Sequence, residues 1–142
     1  MYKVKIEAPY KLEKANPTDT GYDLRSIENK TFNFGDYFFL DTGVAIELEY
    51  DEASKDHVLP DIQVRGRSGL AFKNKFLAHF GTIDLTYQRK IYVGLAYLGK
   101  EPYTIKEKDR IAQLVVCHST PLDFVQVDSL EESREGFGSS GV

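Results

Sequence analysis

Asp84 and Tyr87 fall within Gly81-Thr82-Ile83-Asp84-Leu85-Thr86-Tyr87-Gln88-Arg89-Lys90-Ile91, which puts a carboxylate and an aromatic between two apolar runs. Phe76, Leu77 and Phe80 precede it, and Ile91, Val93, Leu95 and Tyr97 follow with the alternation of a half-buried strand. The stretch therefore reads as a hairpin. At its mouth Asp84 and Tyr87 can reach a ligand from rigid strands, or Asp84 can merely fix the turn through its own backbone. Arg67-Ser68-Gly69 follows the strand-like Ile62 and Val64. Arg offers paired donors, Ser one more, and Gly a close approach of the backbone, a set that suits a phosphate and equally an ordinary polar loop.

Asp23 lies beside an aromatic in Thr20-Gly21-Tyr22-Asp23-Leu24. A carboxylate oxygen suits magnesium, which keeps several waters and takes its other bonds from substrate phosphates. Gln113 interrupts the apolar run of Asp109-Arg110-Ile111-Ala112-Gln113-Leu114 and so needs a polar partner, which can be a ligand or a backbone group. Gly136-Phe137-Gly138-Ser139-Ser140-Gly141 joins one aromatic to small donors, able to stack on a base and wrap a phosphate, or simply to end the chain. His57, His79 and His118 have no metal-triad spacing, and no Ser is set as an obvious nucleophile.

The elements that must position these residues are short strands. Val4 and Ile6, Phe32 and Phe34, Tyr37 to Leu40, Val44 to Leu48, Ile62 and Val64, Ile91 to Tyr97, Tyr103 to Ile105, Ile111 to Val116 and Phe124 to Val127 recur between turn formers. Gly35-Asp36, Asp41-Thr42-Gly43 and Lys55-Asp56-His57 are read as that punctuation. The pattern predicts an all-β sandwich or barrel, with one turn of helix around Leu70 to Lys75. Cys117 follows Leu114, Val115 and Val116 and is expected as a small core residue with no disulfide. Residues 1–127 are read as the β domain and 128–142 as a flexible C-terminal arm, because composition turns to Glu, Ser and Gly there.

The 142 residues, 42% hydrophobic and 28% charged, suit one globular domain. A net charge of −4 gives no general positive field to hold a nucleic-acid polymer, while leaving room for a small anion held by a few Arg side chains. No apolar run approaches the roughly 18 residues of a spanning helix, so no membrane partner is expected. The strand-like start at Tyr2 to Ile6 fits a cytoplasmic protein.

In order along the chain, Thr20 to Leu24, Gly66-Arg67-Ser68-Gly69-Leu70-Ala71, Gly81 to Tyr87, Asp109 to Leu114 and Gly136 to Gly141 resemble the five motifs of trimeric dUTPases. The resemblance implies a jelly-roll-like β-sandwich or distorted barrel, a homotrimer with three sites, and magnesium-dependent cleavage of dUTP to dUMP and pyrophosphate. Such an activity keeps uracil out of DNA and supplies dUMP for dTTP synthesis. It further implies that Asp84 activates the attacking water and contacts the sugar 3′-hydroxyl, and that Tyr87 packs on the deoxyribose and excludes a 2′-hydroxyl. Gly81, Thr82 and Ile83 would read the uracil edge. Arg67, Ser68, Gly69 and Gln113 would hold phosphates, with Asp23 on Mg2+ through water. Arg134, Phe137, Gly138, Ser139 and Ser140 would close the site from another subunit, Phe137 capping the uracil.

The sequence departs from that pattern at Arg89 and Lys90, where the family usually has Gly and then often an acid. Gly66 stands for a usual Pro, and Lys108 for a usual Gly. Arg134 precedes Phe137 by three residues, where five is commoner. Two other functions share the fold. One is a dCTP deaminase, against which stands the lack of a matching Glu in the hairpin block. The other is a nucleotide-switched interaction protein, against which stand the complete motifs.

Overall fold

The computed structural model describes residues 3–49, 60–79, 81–84, 90–118 and 122–130. Ten strands and one short helix follow in the order β1 (Lys3–Glu7), β2 (Gly21–Arg25), β3 (Lys30–Phe32), β4 (Tyr37–Glu49), β5 (Pro60–Arg65), α1 (Ser68–Asn74), β6 (Phe76–Ala78), β7 (Gly81–Ile83), β8 (Lys90–Tyr97), β9 (Tyr103–Ile105) and β10 (Arg110–His118). Two open four-stranded sheets, β1-β4-β8-β6 and β2-β10-β5-β7, are joined by the small β3-β9 pair, and every pairing is antiparallel. The all-β expectation is met, as a sandwich whose sheets stay open.

Period-two alternation builds the core. Ile91, Val93, Leu95 and Tyr97 of β8 turn inward, while Tyr92 between them stays exposed. They meet Leu40, Val44 and Ile46 of β4 and, from the facing sheet, Leu24, Ile62, Val64, Ile111 and Leu114. Phe32, Phe76, Tyr97 and Tyr103 close one end, with Phe76 edge-on to Phe32 at 5.0 Å and to Tyr103 at 5.2 Å. Edge-to-face packing of this kind adds about 0.5–1.5 kcal/mol beyond area burial.

Several expectations are corrected. Asp41-Thr42-Gly43 is not a turn between two strands but an irregularity inside β4, where the register to β8 shifts between Asp41 and Ala45. Gly43 takes φ +69, Asp41 Oδ1 accepts its N–H, and buried Thr42 donates to the Ile91 carbonyl at 2.6 Å. These side-chain bonds satisfy the backbone that the irregularity leaves unpaired, so the strand continues. Phe34 lies beyond β3, in the turn at Gly35-Asp36, and is largely exposed. Phe124 to Val127 forms no strand. Phe124, Val125 and Val127 are exposed, because a strand needs a neighbour for its ladder and no described strand pairs with this stretch. Cys117 is half-buried rather than a core residue, one position from the end of β10, where the last three residues are all at least partly exposed. The expected helical turn is present but starts earlier and runs longer, as the seven-residue α1 from Ser68 to Asn74, closed by Lys75 at φ +62.

The expected hairpin is half present. Its base pairs β6 with β8, Phe76 opposite Tyr97 and Ala78 opposite Leu95. The chain then leaves that sheet, because β7 pairs with β5 in the other one, Gly81 opposite Val64 and Ile83 opposite Ile62. The segment carrying Asp84 thus crosses from one layer of the sandwich to the other.

Candidate functional site

Asp23, Gln113 and Arg65 lie in one row across three strands, since Gln113 pairs with Asp23 on β2 and with Arg65 on β5. Two residues past the end of β5 comes Arg67, and Ser68 opens α1. Strand pairing therefore gathers residues that are distant in sequence. Ala15, Asp19, Thr20, Gly21, Asp23, Arg67, Ser68, Gly69 and Gln113 line a polar pocket of about 370 Å³. A mainly apolar hollow of about 380 Å³ adjoins it, sharing Arg67, Ser68 and Gln113 and adding Leu70, Phe76 and Leu77.

Gln113 Nε2 donates to the Gly66 carbonyl at 2.9 Å, so its partner is a backbone group. That bond fixes the side chain at the pocket wall. Asp23 is held by two guanidinium groups, Arg67 Nε at 3.5 Å from Oδ1 and Arg110 Nη1 at 3.5 Å from Oδ2. Its backbone N–H is anchored on the Glu13 carbonyl at 2.7 Å. Asp109 and Arg110 are neighbours of opposite charge with separate partners. Asp109 accepts the Lys106 N–H in a tight turn, and Arg110 turns to Asp23. Arg110 is the site residue that sequence reasoning missed. Its signal was its place three residues before Gln113 at the start of the same strand, legible only once β10 is known to pair with β2.

Among the described residues no group of three or more His, Cys, Asp or Glu side chains could hold a metal ion. Asp23 and Asp19 are the acids of the pocket. That donor set fits magnesium in the way magnesium is usually held, by one or two carboxylates, water and ligand phosphates rather than by a protein cage.

Asp84 does not join this pocket. It is exposed and lies one residue beyond Ile83, which pairs with Ile62, whereas the pocket row meets β5 at Arg65. Four residue steps at about 3.3 Å each put Asp84 about 13 Å from that row along the strands. Gly81, Thr82 and Ile83 lie one, two and three residue steps from that row, opposite Val64, Gln63 and Ile62, on a strand at the end of its sheet among the described residues, and none of them lines the pocket. Tyr87, Arg134, Phe137, Gly138, Ser139 and Ser140, with Arg89, lie outside the described residues. Lys90 opens β8 and pairs with Asp41 at 3.6 Å.

The open sandwich and the pocket define a β-sandwich protein with a polar hollow in which one carboxylate is paired with two guanidinium groups. The dUTPase family model matches residues 10–141. The deoxyuridine 5′-triphosphate nucleotidohydrolase of Alkaliphilus metalliredigens is 37% identical over 152 residues, covering 100% of this chain and 99% of that protein. That of Helicobacter hepaticus is 38% identical over 131 residues, covering 89% and 78%. The chain belongs to the dUTPase family. Among solved structures, the dUTPase of Staphylococcus bacteriophage 80alpha with dUpNHpp superposes with a TM-score of 0.76 at 23% identity, covering 99% of each chain. A mutant dUTPase from phage phi11 of S. aureus, solved with a structural Mg(II) ion, gives 0.72 at 19%, covering 92% of this chain and 99% of that one. At such identities the likeness concerns the fold. No described helix is long and apolar enough to cross a membrane.

Proposed function

We propose that the chain is a dUTP diphosphatase acting in the cytoplasm as a homotrimer, each site drawing on more than one subunit. The observation that carries this is the separation of Asp84 from the Asp23, Arg67 and Gln113 pocket in a chain that belongs to the family. A side chain about 13 Å along the sheet cannot serve a phosphate in the pocket of its own subunit. A second copy can supply it. The exposed Leu122, Phe124, Val125 and Val127, and the exposed sheet face of Tyr37, Phe39, Leu77 and Tyr92, favour assembly, since exposed apolar surface on this scale marks contact regions.

In the assembled site β7 suits base recognition, because a strand at a sheet end turns one row of backbone N–H and C=O groups outward, as an edge-reading surface for uracil requires. Tyr87 packs against deoxyribose and leaves no room for a 2′-hydroxyl. Asp84 accepts a proton from the water that attacks the α-phosphorus in line. Arg67, Ser68 and Gln113 neutralise the charge gathering on the departing pyrophosphate, the kind of preorganised stabilisation that contributes most in such sites. Magnesium, when bound, supplies further charge neutralisation on the triphosphate, and Asp23 would hold it through water. Phe137 caps the uracil while Arg134, Gly138, Ser139 and Ser140 reach the phosphates from the arm.

The test is pyrophosphate release from dUTP, dCTP, dTTP and UTP at equal concentration, with ammonia assayed alongside. Release from dUTP alone is expected. Ammonia from dCTP, or no turnover of any of the four, would overturn the reading.

A further inference from the structure

Asp23 is only 12% exposed on its side chain, so water cannot solvate its charge and a cation must always accompany it. Two do. Arg67 meets Oδ1 and Arg110 meets Oδ2, each at 3.5 Å, leaving the triad with a net charge of one positive unit. Both contacts are longer than the 2.7–2.9 Å typical of a committed charge-assisted hydrogen bond. The guanidinium side chains are also 29% and 41% exposed, so water competes for both and screening weakens each pair. Such contacts can be exchanged when another cation takes their place beside Asp23. A triphosphate carries several charges where Asp23 carries one, and it offers each arginine paired oxygens in the geometry that a guanidinium fork matches.

We infer that the Arg67–Asp23–Arg110 triad is a charge-exchange device, in which an arriving triphosphate draws both guanidinium groups away and so frees Asp23 for the hydrated magnesium that accompanies it. The inference rests on the phosphate-binding reading of this pocket. Arg110 is then a positioning residue. It touches neither the scissile bond nor the base, but it keeps Asp23 from a divalent cation until phosphate is present, and it makes the two binding events mutually supportive. Linkage requires the coupling to be reciprocal, so it is measurable from either ligand.

The experiment measures the affinity of a non-hydrolysable dUTP analogue by calorimetry, in chelator and in saturating Mg2+, for the wild-type protein, Arg110→Gln and Arg110→Lys. Mn2+ binding without nucleotide is followed by electron paramagnetic resonance. In the wild type Mg2+ should raise analogue affinity about 10-fold or more, within the usual range of site-to-site coupling. In Arg110→Gln that gain should fall to about 3-fold or less, and Mn2+ alone should bind more tightly, because one repelling charge is gone. Arg110→Lys keeps the charge without the fork and should lie between. A merely structural role would weaken binding equally with and without Mg2+.

A folded Arg110→Gln with the wild-type gain overturns the inference; should that variant not fold, a wild-type gain in Arg110→Lys overturns it and a reduced gain supports it. Pyrophosphate release by the wild type, run in parallel, separates the two levels. No release from dUTP sinks the proposed function, whereas release with an unchanged gain sinks the triad alone.

Discussion

Gly21 and Gln113 occupy adjoining space so closely that a Cβ on Gly21 would fall 2.2 Å from Gln113 Oε1 and 2.9 Å from Gln113 Cβ. The absence of a side chain on β2 is what allows Gln113 to lie across it and donate to the Gly66 carbonyl. Gly21→Ala must therefore displace Gln113, and because its Cβ is involved the flexible end cannot simply swing aside. Thermal melting should report a loss of about 1–3 kcal/mol, the usual cost of overpacking, together with weaker binding of the dUTP analogue. Wild-type values for both would show that Gln113 is not held there.

Lys108 takes the place of a usual family glycine and sits at φ +76, the left-handed region. Its contacts here are backbone ones, its N–H to the Ser26 carbonyl at 2.8 Å and its carbonyl to Arg25 Nη1 at 2.8 Å. Lys108→Gly keeps both and removes a conformational cost of about 1–2 kcal/mol, offset by the about 0.5–1 kcal/mol of extra chain entropy that glycine loses on folding. A gain of about 0–1.5 kcal/mol is expected from the two terms. Melting at fixed protein concentration checks it, and a lower melting temperature would contradict it.

Much of the architecture was legible because alternation and turn formers act locally. Ile91 to Tyr97 declared itself as a strand by period, and Ile111 to Val116 by its short apolar run. What local pattern cannot carry is pairing. Nothing in Gly81-Thr82-Ile83 says that it leaves β8 for β5, and Asp41-Thr42-Gly43 looks like a turn because the bonds that carry β4 through it come from Thr42 to the distant Ile91. The same limit applies to the site. Asp23, Arg67, Ser68 and Gln113 were each recognisable and do converge, while Arg110 became visible only through the β2–β10 register. Phe124 to Val127 has strand-like composition, but composition does not say whether a partner strand belongs to the same chain.

The half-buried Tyr10 hydroxyl accepts the Arg25 N–H at 2.9 Å and donates to the Arg25 carbonyl at 3.2 Å. Burial pushes its pKa above the ordinary 10.0, ahead of the opposing influence of its Arg25 backbone bond. The folded state then binds this proton more strongly than the unfolded one. Stability present below pH 10 is lost as pH rises through the folded pKa. Tyr10→Phe should be less stable at neutral pH by about 0.5–1.5 kcal/mol, yet should decline less steeply above pH 10. Parallel melting curves for the two proteins at all pH values would contradict this.

Deletion of residues 136–142 removes Phe137 and the small donors after it. If these groups close the site rather than support the fold, light scattering and melting should stay near wild type while pyrophosphate release drops sharply. Full activity after deletion would remove the arm from the mechanism.

The shared site is tested most directly by mixing two inactive proteins. Asp84→Asn lacks the proposed base, worth about 10²–10⁴-fold in rate, and Arg67→Ala lacks a phosphate-binding cation. If Asp84 serves the pocket of a neighbour, unfolding and refolding the two together gives hybrid trimers in which some sites have both wild-type residues, about a quarter by random assortment. Pyrophosphate release from dUTP should then recover to about that fraction of the wild-type rate. A mixture as inactive as its components would contradict a site shared between subunits.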